Sequence, residues 1–327
     1  MKARVLIAAC AAAVMLCGCQ SSADTLLNKY SEMDILGSSD VLSLVEPSMA
    51  EGFAADLAVV SAADNEASIG DTAISAPAAL LMDEGTNAPL YYKNIYEPLA
   101  PASLTKLMTA LLVLEQGNLD DTITITAEMI DIDNPEAQMA GFQAGDTISV
   151  RDMLYWMLIY SGNDTSNALG IYMSGSIEAF AQQMNERAKS LGATHTHFVN
   201  ACGLDADGHE TCAYDLYLMF KACMEYDVFR DAIRQSSYTV YYTNAAGETV
   251  SSTFDTTNLY LADYYDPPEG ITILGGKTGT TGNAGTCLMV LAEDAGGNTY
   301  TALILGCSDK PELYQQMSNL LSIIQKK

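Results

Sequence analysis

Three short motifs that could together perform acyl-transfer chemistry follow one another along the chain: Ser103-Leu-Thr-Lys106, Ser161-Gly-Asn163 and Lys277-Thr-Gly279. A serine hydroxyl is a weak nucleophile until a base removes its proton, and a lysine can be that base when its ammonium form is destabilised. Ser103 and Lys106 are three residues apart, so on a helix their side chains share one face. The order of the motifs predicts a serine acyl-transfer site that uses lysine as its base.

The second and third motifs supply polar groups that such a site needs. We expect the hydroxyl of Ser161 to pass a proton between Lys106 and the leaving amine, and Asn163 to hydrogen-bond the amide on the acyl side of the substrate. Lys277 lies in a glycine-rich stretch after a predicted strand, where a fixed cation suits a terminal carboxylate. Taken alone, each motif has an ordinary explanation as a helix cap or a turn.

An alternative interpretation of the glycine-rich stretch around Lys277 is a nucleotide-binding P-loop. That motif requires four residues between its first glycine and the glycine that precedes the lysine. Five residues separate Gly270 from Gly276, so the spacing argues against a P-loop.

The elements that must position these residues follow from periodicity. Helices are predicted over 104–115, 149–160, 164–173, 177–191 and 212–226, and strands on both sides of the turn 83–87 and over 270–276, 286–292 and 299–307. A last helix opens at Pro311; we favour core packing over a membrane-surface role, because its polar side carries Gln, Ser and Asn rather than basic residues. Strands near both chain ends predict one sheet closed from the two termini, with a helical insert.

The first 18 residues are typical of an export signal: a basic start, an apolar run and small residues before Cys19. The sequence Leu16-Cys17-Gly18-Cys19 resembles a lipobox, in which Cys19 is acylated, although simple cleavage stays open. Residues 19–73 are rich in Ser, Ala and Asp, and we expect a flexible acidic tether there. Short helices over 40–45 or 53–60 are the alternative.

Charge and cysteine usage exclude several classes of function. The chain carries 41 acidic and 15 basic residues, a net charge of −26. Such a surface disfavours nucleic acid and anionic membranes as partners. Five cysteines remain after the signal region, and we expect them to be buried free thiols. His195, His197 and His209 have no acidic residue at a familiar ligand spacing, so we expect structural histidines, no metal and no cofactor.

Beyond the three motifs, two further stretches carry a family resemblance. Pro101–Thr109, Ser161–Asp164 and Gly275–Thr281 resemble the motif forms of serine-type D-Ala-D-Ala carboxypeptidases, the low-molecular-mass penicillin-binding proteins of bacterial wall synthesis. Residues 197–204 and the stretch from His209 to Leu216 are also similar to that family. The resemblance covers residues 74–327, which we expect to be the catalytic domain.

The resemblance implies an α+β fold of the β-lactamase/transpeptidase type, with an antiparallel sheet flanked by helices and a helical subdomain. It implies acylation of Ser103 by a peptidoglycan pentapeptide ending in D-Ala-D-Ala, and covalent inhibition by β-lactams. Substrate-binding roles fall on Asn163, Lys277, Thr278, Gly279 and Thr280, of which Lys277 and Thr280 receive the carboxylate. The backbone N–H groups of Ser103 and Thr280 would form the oxyanion hole.

Two alternatives share the motifs. A class A β-lactamase needs a glutamate in an E-x-x-L-N stretch, and none occurs between Asn163 and Lys277. A penicillin-binding sensor or inactive wall-binding protein would keep the same residues. Many relatives continue into a β-rich domain and a membrane-binding tail, so we expect a lipid on Cys19 to provide the anchoring here, at the extracytoplasmic face of the membrane.

Overall fold

The computed structural model describes residues 66–68 and 74–326. The predicted signal segment, Cys19 and most of the predicted tether lie outside these residues. The ten strands of the described part are β1 Glu66–Ser68, β2 Ala78–Asp83, β3 Ala88–Lys93, β4 Thr122–Thr124, β5 Thr147–Ser149, β6 Ser237–Thr243, β7 Thr249–Asp255, β8 Ile271–Thr281, β9 Gly285–Asp294 and β10 Thr299–Cys307. Its seven α-helices are α1 Lys106–Gln116, α2 Val150–Ile159, α3 Asn163–Ser174, α4 Ile177–Ser190, α5 Ala213–Met224, α6 Asp227–Ile233 and α7 Lys310–Leu321.

Six strands form one antiparallel sheet in the order β1-β3-β2-β10-β9-β8. Strand β2, from the N-terminal part, pairs with β10, from the C-terminal part, with Leu81 opposite Ala302. This pairing confirms that the sheet is closed from the two ends of the chain. All six residues of β2 are buried, as expected of a strand covered on both faces. At one edge of the sheet lies β8, which pairs with β9 on one side.

Helices cover both faces of this sheet. Helix α7 packs on β9 and β10, and α5 packs on β2 and β10 together with α1. Leu313, Met317 and Leu320 of α7 are buried in the core, which agrees with the packing role predicted for that helix. Helix α1 is buried over residues 106–113, consistent with a run that is apolar on nearly every side. The fold is α+β, as predicted.

A second sheet, in the order β4-β5-β6-β7, was not predicted from the sequence. Its hairpin of β6 and β7 is paired from Ser237 opposite Asp255 to Thr243 opposite Thr249. Helix α2 packs against both strands. Strand β1 also differs from expectation, because its three residues pair with β3 although they precede residue 74, the predicted start of the domain.

Two differences from the predicted elements affect the functional residues. The strand predicted over 270–276 continues to Thr281, so Lys277 to Thr280 are part of β8 rather than of a loop after it. The helix predicted from residue 104 begins with a 3₁₀ turn, Ala102–Thr105, and becomes α-helical only at Lys106. Within the described residues no helix is both long and apolar enough to cross a membrane.

Candidate active site

The turn that carries Ser103 has a constrained backbone. Ala102, directly before the serine, has φ of +48°, a conformation that non-glycine residues seldom adopt. Pro101 precedes it with φ of −75° and the 3₁₀ turn follows. Ser103 is thereby held half-buried just ahead of the first turn of α1, whose initial residue is Lys106.

Two glycines hold this turn from opposite sides. A Cβ atom on Gly203 would lie 1.8 Å from the carbonyl oxygen of Ala102, far inside contact distance. A Cβ atom on Gly279, in β8, would lie 3.1 Å from the backbone nitrogen of Ser103 and 3.0 Å from the Cβ of Ala102. Because neither position has a side chain, the backbone of the Ser103 turn can approach both segments closely.

Lys106 is fully buried and its Nζ lies 2.9 Å from the Oγ of Ser103. The same nitrogen donates to Oδ1 of Asn163 at 2.8 Å and to the carbonyl oxygen of Cys202 at 2.7 Å. Burial lowers the pKa of Lys106 to about 8, against smaller opposing effects of Cys202 and Asp164. A lysine base acts in its neutral form, and this shift makes the neutral form far more accessible near neutral pH than it is for an ordinary lysine.

Ser161 and Lys277 form the second polar pair of the site. Nζ of Lys277 donates to Oγ of Ser161 at 2.8 Å and to the carbonyl oxygen of Thr278 at 3.0 Å. Ser161 has φ of +71° in the turn between α2 and α3, and both side chains are buried. Burial, with a contribution from the nearby Lys106 charge, holds the pKa of Lys277 well below its usual value.

These contacts add partners that the sequence does not predict for the second motif. The sequence predicts that Ser161 passes a proton between Lys106 and the leaving amine and that Asn163 hydrogen-bonds the acyl-side amide of the substrate. In the structure Asn163 contacts Lys106 through its oxygen, and Ser161 contacts Lys277. Ser161 also lines the pocket beside Ser103.

Beside these groups lies one pocket of about 270 Å³. Its walls include Ser103, Ser161, Asn163 and, from β8, Thr278, Gly279 and Thr280. Because β8 is an edge strand, its backbone can pair with an extended peptide that enters the pocket. Glu136 is the only carboxylate among the described residues that line the pocket.

Buried polar residues fix the loops around the pocket. Asp164 accepts hydrogen bonds from the backbone N–H groups of Ala140 and Gly141, at 2.8 and 2.9 Å. These bonds hold the loop that carries Glu136 to Gln138 against the start of α3. The N–H of Asn163 donates to the carbonyl oxygen of Gln138, which fixes the same loop from its other side.

His209 supports the Ser103 turn from behind. Its Nδ1 accepts a hydrogen bond from the backbone N–H of Val199 at 2.9 Å. Nε2 therefore carries the proton and donates to Oγ1 of Thr105, also at 2.9 Å. Burial lowers the pKa of His209 to about 4, so the ring is neutral at pH 7. This histidine is structural, as expected from the sequence.

Sequence reasoning did not identify the roles of two parts of the site. Cys202, whose carbonyl oxygen contacts Lys106, and Gly203, which packs on the Ser103 turn, both belong to the stretch 197–204. The family resemblance of that stretch assigns no role to either residue. A backbone carbonyl leaves no signature in residue type. The glycine at position 203 is the signal that the sequence offers for a close backbone contact. Its φ of +91° is a conformation that favours glycine.

Comparisons with known proteins agree with this geometry. A model of the D-alanyl-D-alanine carboxypeptidase family matches residues 62–308. D-alanyl-D-alanine carboxypeptidase DacF of Bacillus subtilis is 34% identical over 256 residues, which are 77% of this chain and 62% of that protein. DacC of Escherichia coli is 30% identical over 265 residues, 79% of this chain and 63% of that protein. The chain thus spans less than two thirds of the length of both relatives.

Solved structures extend the similarity to the fold. The crystal structure of a Streptomyces DD-transpeptidase superposes with a TM-score of 0.70 at 28% identity, covering 79% of this chain and 98% of that one. A Mycobacterium tuberculosis D-alanyl-D-alanine carboxypeptidase gives a TM-score of 0.69 over 80% of this chain and 94% of that one, and at 24% identity it supports the fold alone. With its fold, its three motifs and the family match in agreement, the chain belongs to the D-alanyl-D-alanine carboxypeptidase family.

Proposed function

We propose that this protein is a serine-type D-Ala-D-Ala carboxypeptidase that removes the terminal D-alanine from peptidoglycan stem peptides. The observation that carries the proposal is the contact of 2.9 Å between Ser103 Oγ and the fully buried Nζ of Lys106. A serine in contact with a lysine of lowered pKa has the two parts needed for acyl transfer.

In the proposed acylation step, neutral Lys106 takes the proton of Ser103 while Oγ attacks the carbonyl carbon between the two D-alanines. The oxygen of that carbonyl becomes negative and is stabilised by backbone N–H groups, the role that the family resemblance gives to Ser103 and Thr280. The close packing of Gly279 on the Ser103 nitrogen supports this role, because it brings the β8 backbone next to the nucleophile.

The leaving amine then needs a proton. We propose that Lys106 returns the proton it has taken, with the Ser161 hydroxyl as the relay, and that D-alanine departs. Water then attacks the carbonyl carbon of the acyl-serine, and Lys106 again takes the proton as base. The bond to Ser103 breaks, Lys106 returns the proton to the serine oxygen, and the shortened peptide is released.

Lys277 recognises the terminal carboxylate in this proposal. Its buried position disfavours an isolated ammonium, but a carboxylate placed beside Thr280 supplies the opposite charge and raises its pKa. Substrate binding would therefore favour the charged form of Lys277, and that charge would in turn favour the neutral form of Lys106 that acts as the base.

Three further roles accompany this function in our proposal. β-Lactams would acylate Ser103 as covalent inhibitors. The protein would be exported by its first 18 residues and act outside the cytoplasm. Cys19 would carry a lipid that anchors it to the membrane, with residues 19–73 as the tether.

The test is a synthetic peptide ending in D-Ala-D-Ala, with released D-alanine measured, beside labelling by a fluorescent penicillin and mapping of the labelled residue. We expect D-alanine release and a label on Ser103, and neither in Ser103→Ala. A labelled protein that releases no D-alanine would identify a penicillin-binding sensor instead. Rapid penicillin turnover that depends on Glu136 would favour a β-lactamase, since that carboxylate lines the pocket.

A further inference from the structure

Three side chains that commonly ligate metals meet outside the pocket. His195 lies between α4 and α5, Cys212 is the N-cap residue of α5, and Asp215 is in the first turn of that helix. One ligand atom from each lies within 4.8 Å of the other two. None of the three lines the pocket around Ser103.

The Asp215 carboxylate is incompletely satisfied. It is 1% exposed, and its Oδ2 accepts hydrogen bonds from the N–H of His195 at 2.8 Å and from Oγ1 of Thr196 at 2.7 Å. Its Oδ1 is buried with no hydrogen-bond partner of normal geometry. Among the described ion pairs, none includes Asp215. A buried carboxylate oxygen without a partner is costly, and a cation would remove that cost.

Cys212 is the second buried member of the cluster. Its Sγ lies 3.5 Å from the backbone nitrogen of Asp215, in the place of an N-cap acceptor. Its side chain is fully buried, and its sulfur belongs to the close group of ligand atoms with His195 and Asp215. A cysteine binds a metal ion as the thiolate.

We propose that His195, Cys212 and Asp215 bind a divalent cation of the zinc type. Imidazole nitrogen, thiolate sulfur and carboxylate oxygen are the three donors that zinc accepts, and water would complete a tetrahedral set on the exposed side of His195. On binding, the thiol proton is released to solvent and a metal–sulfur bond forms. The ring of Tyr96, with its centroid 5.5 Å from that of His195, packs against the imidazole and limits its orientations.

Such a site would join two segments that differ in secondary structure. His195 belongs to the loop after α4, whereas Cys212 and Asp215 fix the start of α5, a helix that packs on the central sheet. The cation would stabilise the folded state by linkage, because the unfolded chain does not hold the three ligands together. The sequence does not predict this site. Cys212 and Asp215 are three residues apart, but His195 is far from them in the sequence, so the three do not form a familiar ligand spacing.

The experiment uses the full chain and cobalt(II) as the probe, because a thiolate–cobalt bond gives a charge-transfer band that carboxylate or imidazole ligation does not. We expect one equivalent of cobalt to bind with that band, and zinc to displace it. Cys212→Thr keeps an N-cap hydroxyl for Asp215 but should abolish the band. His195→Gln should weaken binding at least about ten-fold, since even outer partners of a metal site are worth that much.

Matched controls separate this site from other ligands. His197→Gln removes a neighbouring histidine outside the cluster and should leave cobalt affinity unchanged. Penicillin labelling of Ser103 in every variant reports that the domain is folded. The same band in wild type and Cys212→Thr would place the metal on other cysteines and overturn the proposal. So would equal affinities for wild type and His195→Gln, or no cobalt binding by the folded wild type.

Discussion

Two buried lysines that contact serines of the pocket define the proposed chemistry at the scale of single residues. Each has lost the water that would stabilise its ammonium form, and Lys106 further depresses the pKa of Lys277 by its charge. Their hydrogen-bond partners differ: Lys106 contacts the nucleophile, whereas Lys277 contacts Ser161. In the proposed mechanism, this difference in contacts, rather than a difference in burial, separates the base from the carboxylate receptor.

The lowered pKa of Lys106 predicts the pH dependence of acylation. The base is active when neutral, so the rate should rise with pH through about 8 and level off above it. Below the pKa the slope should approach about ten-fold per pH unit. The measurement is the rate of penicillin acylation of the folded protein across this range. A rate that is independent of pH between 6 and 9 would exclude a titrating lysine base.

Arginine substitutions should distinguish the two lysines. Arginine keeps its charge at working pH and cannot serve as a base. Lys106→Arg should therefore lower acylation by peptide and penicillin alike, by about 10²–10⁴-fold. Lys277→Arg should retain part of the activity, with the damage in carboxylate recognition. Acylation rates of both variants with one peptide and one penicillin provide the comparison; near-wild-type rates in Lys106→Arg would remove that residue as the base.

His209 should make stability depend on pH. Its pKa is about 4 in the folded protein and about 6.5 in an unfolded chain, so the unfolded state binds more protons as the pH falls below 6.5. The contribution of the neutral ring to the free energy of unfolding is complete above about pH 6.5. It is lost as the pH falls to 4, and the loss is at most about 3 kcal/mol. The midpoint temperature of thermal unfolding should therefore decrease as the pH is lowered from 6.5 to 5. His209→Gln should flatten this part of the curve, and exposed His197→Gln should not.

At the scale of elements, the site depends on how closely three backbones approach one another. The Ser103 turn lies between the Gly203 loop and strand β8, and both neighbours lack side chains at the point of contact. Strand β8 supplies a free edge to the pocket, and α1 continues directly from the turn. The nucleophile is therefore positioned by packing on its backbone as well as by its hydrogen bond to Lys106.

Adding a methyl group at Gly203 tests this packing. Gly203→Ala places a Cβ against the Ala102 carbonyl and also forces alanine to adopt φ of +91°. We expect a loss of stability of more than about 1 kcal/mol and about a hundred-fold slower acylation, as the turn is displaced. Gly208→Ala is the control: its φ is +74°, but the nearest atom lies 3.7 Å away. Equal acylation rates in the two variants would show that the close contact is irrelevant to catalysis.

Predicted and observed elements agree best where the local sequence pattern is strong. The predicted bounds of α2 to α5 agree with the structure to within two residues, because apolar periodicity and capping residues coincide there. The hairpin of β6 and β7 was missed because little of it is buried; Tyr241, for example, is 68% exposed. Residues that the proposed mechanism uses through their side chains, such as Ser103 and Lys277, can be named from the sequence. Those that would act through the backbone, such as Cys202, cannot.

At the scale of the whole molecule, the predicted lipid anchor on Cys19 can be tested separately from the catalytic proposal. If Cys19 carries a lipid, the protein should partition into the detergent phase, and Cys19→Ala should release it or block its processing. Penicillin labelling of the Cys19→Ala protein should be unchanged. The mass of the mature N-terminus gives the direct measurement, and an unmodified N-terminus in the wild type would refute the anchor while leaving the catalytic proposal intact.

The position of β8 near the end of the chain has a consequence for synthesis. Ser103 and Lys106 are made early, but Lys277 and Gly279 belong to a strand that pairs with β9, and β9 pairs with β10. A nascent chain that ends before residue 270 holds Ser103 and Lys106 without the strand that carries Lys277. In the proposed function, the site would therefore be assembled only after β8 to β10 are made, and reactivity towards penicillin would report that assembly.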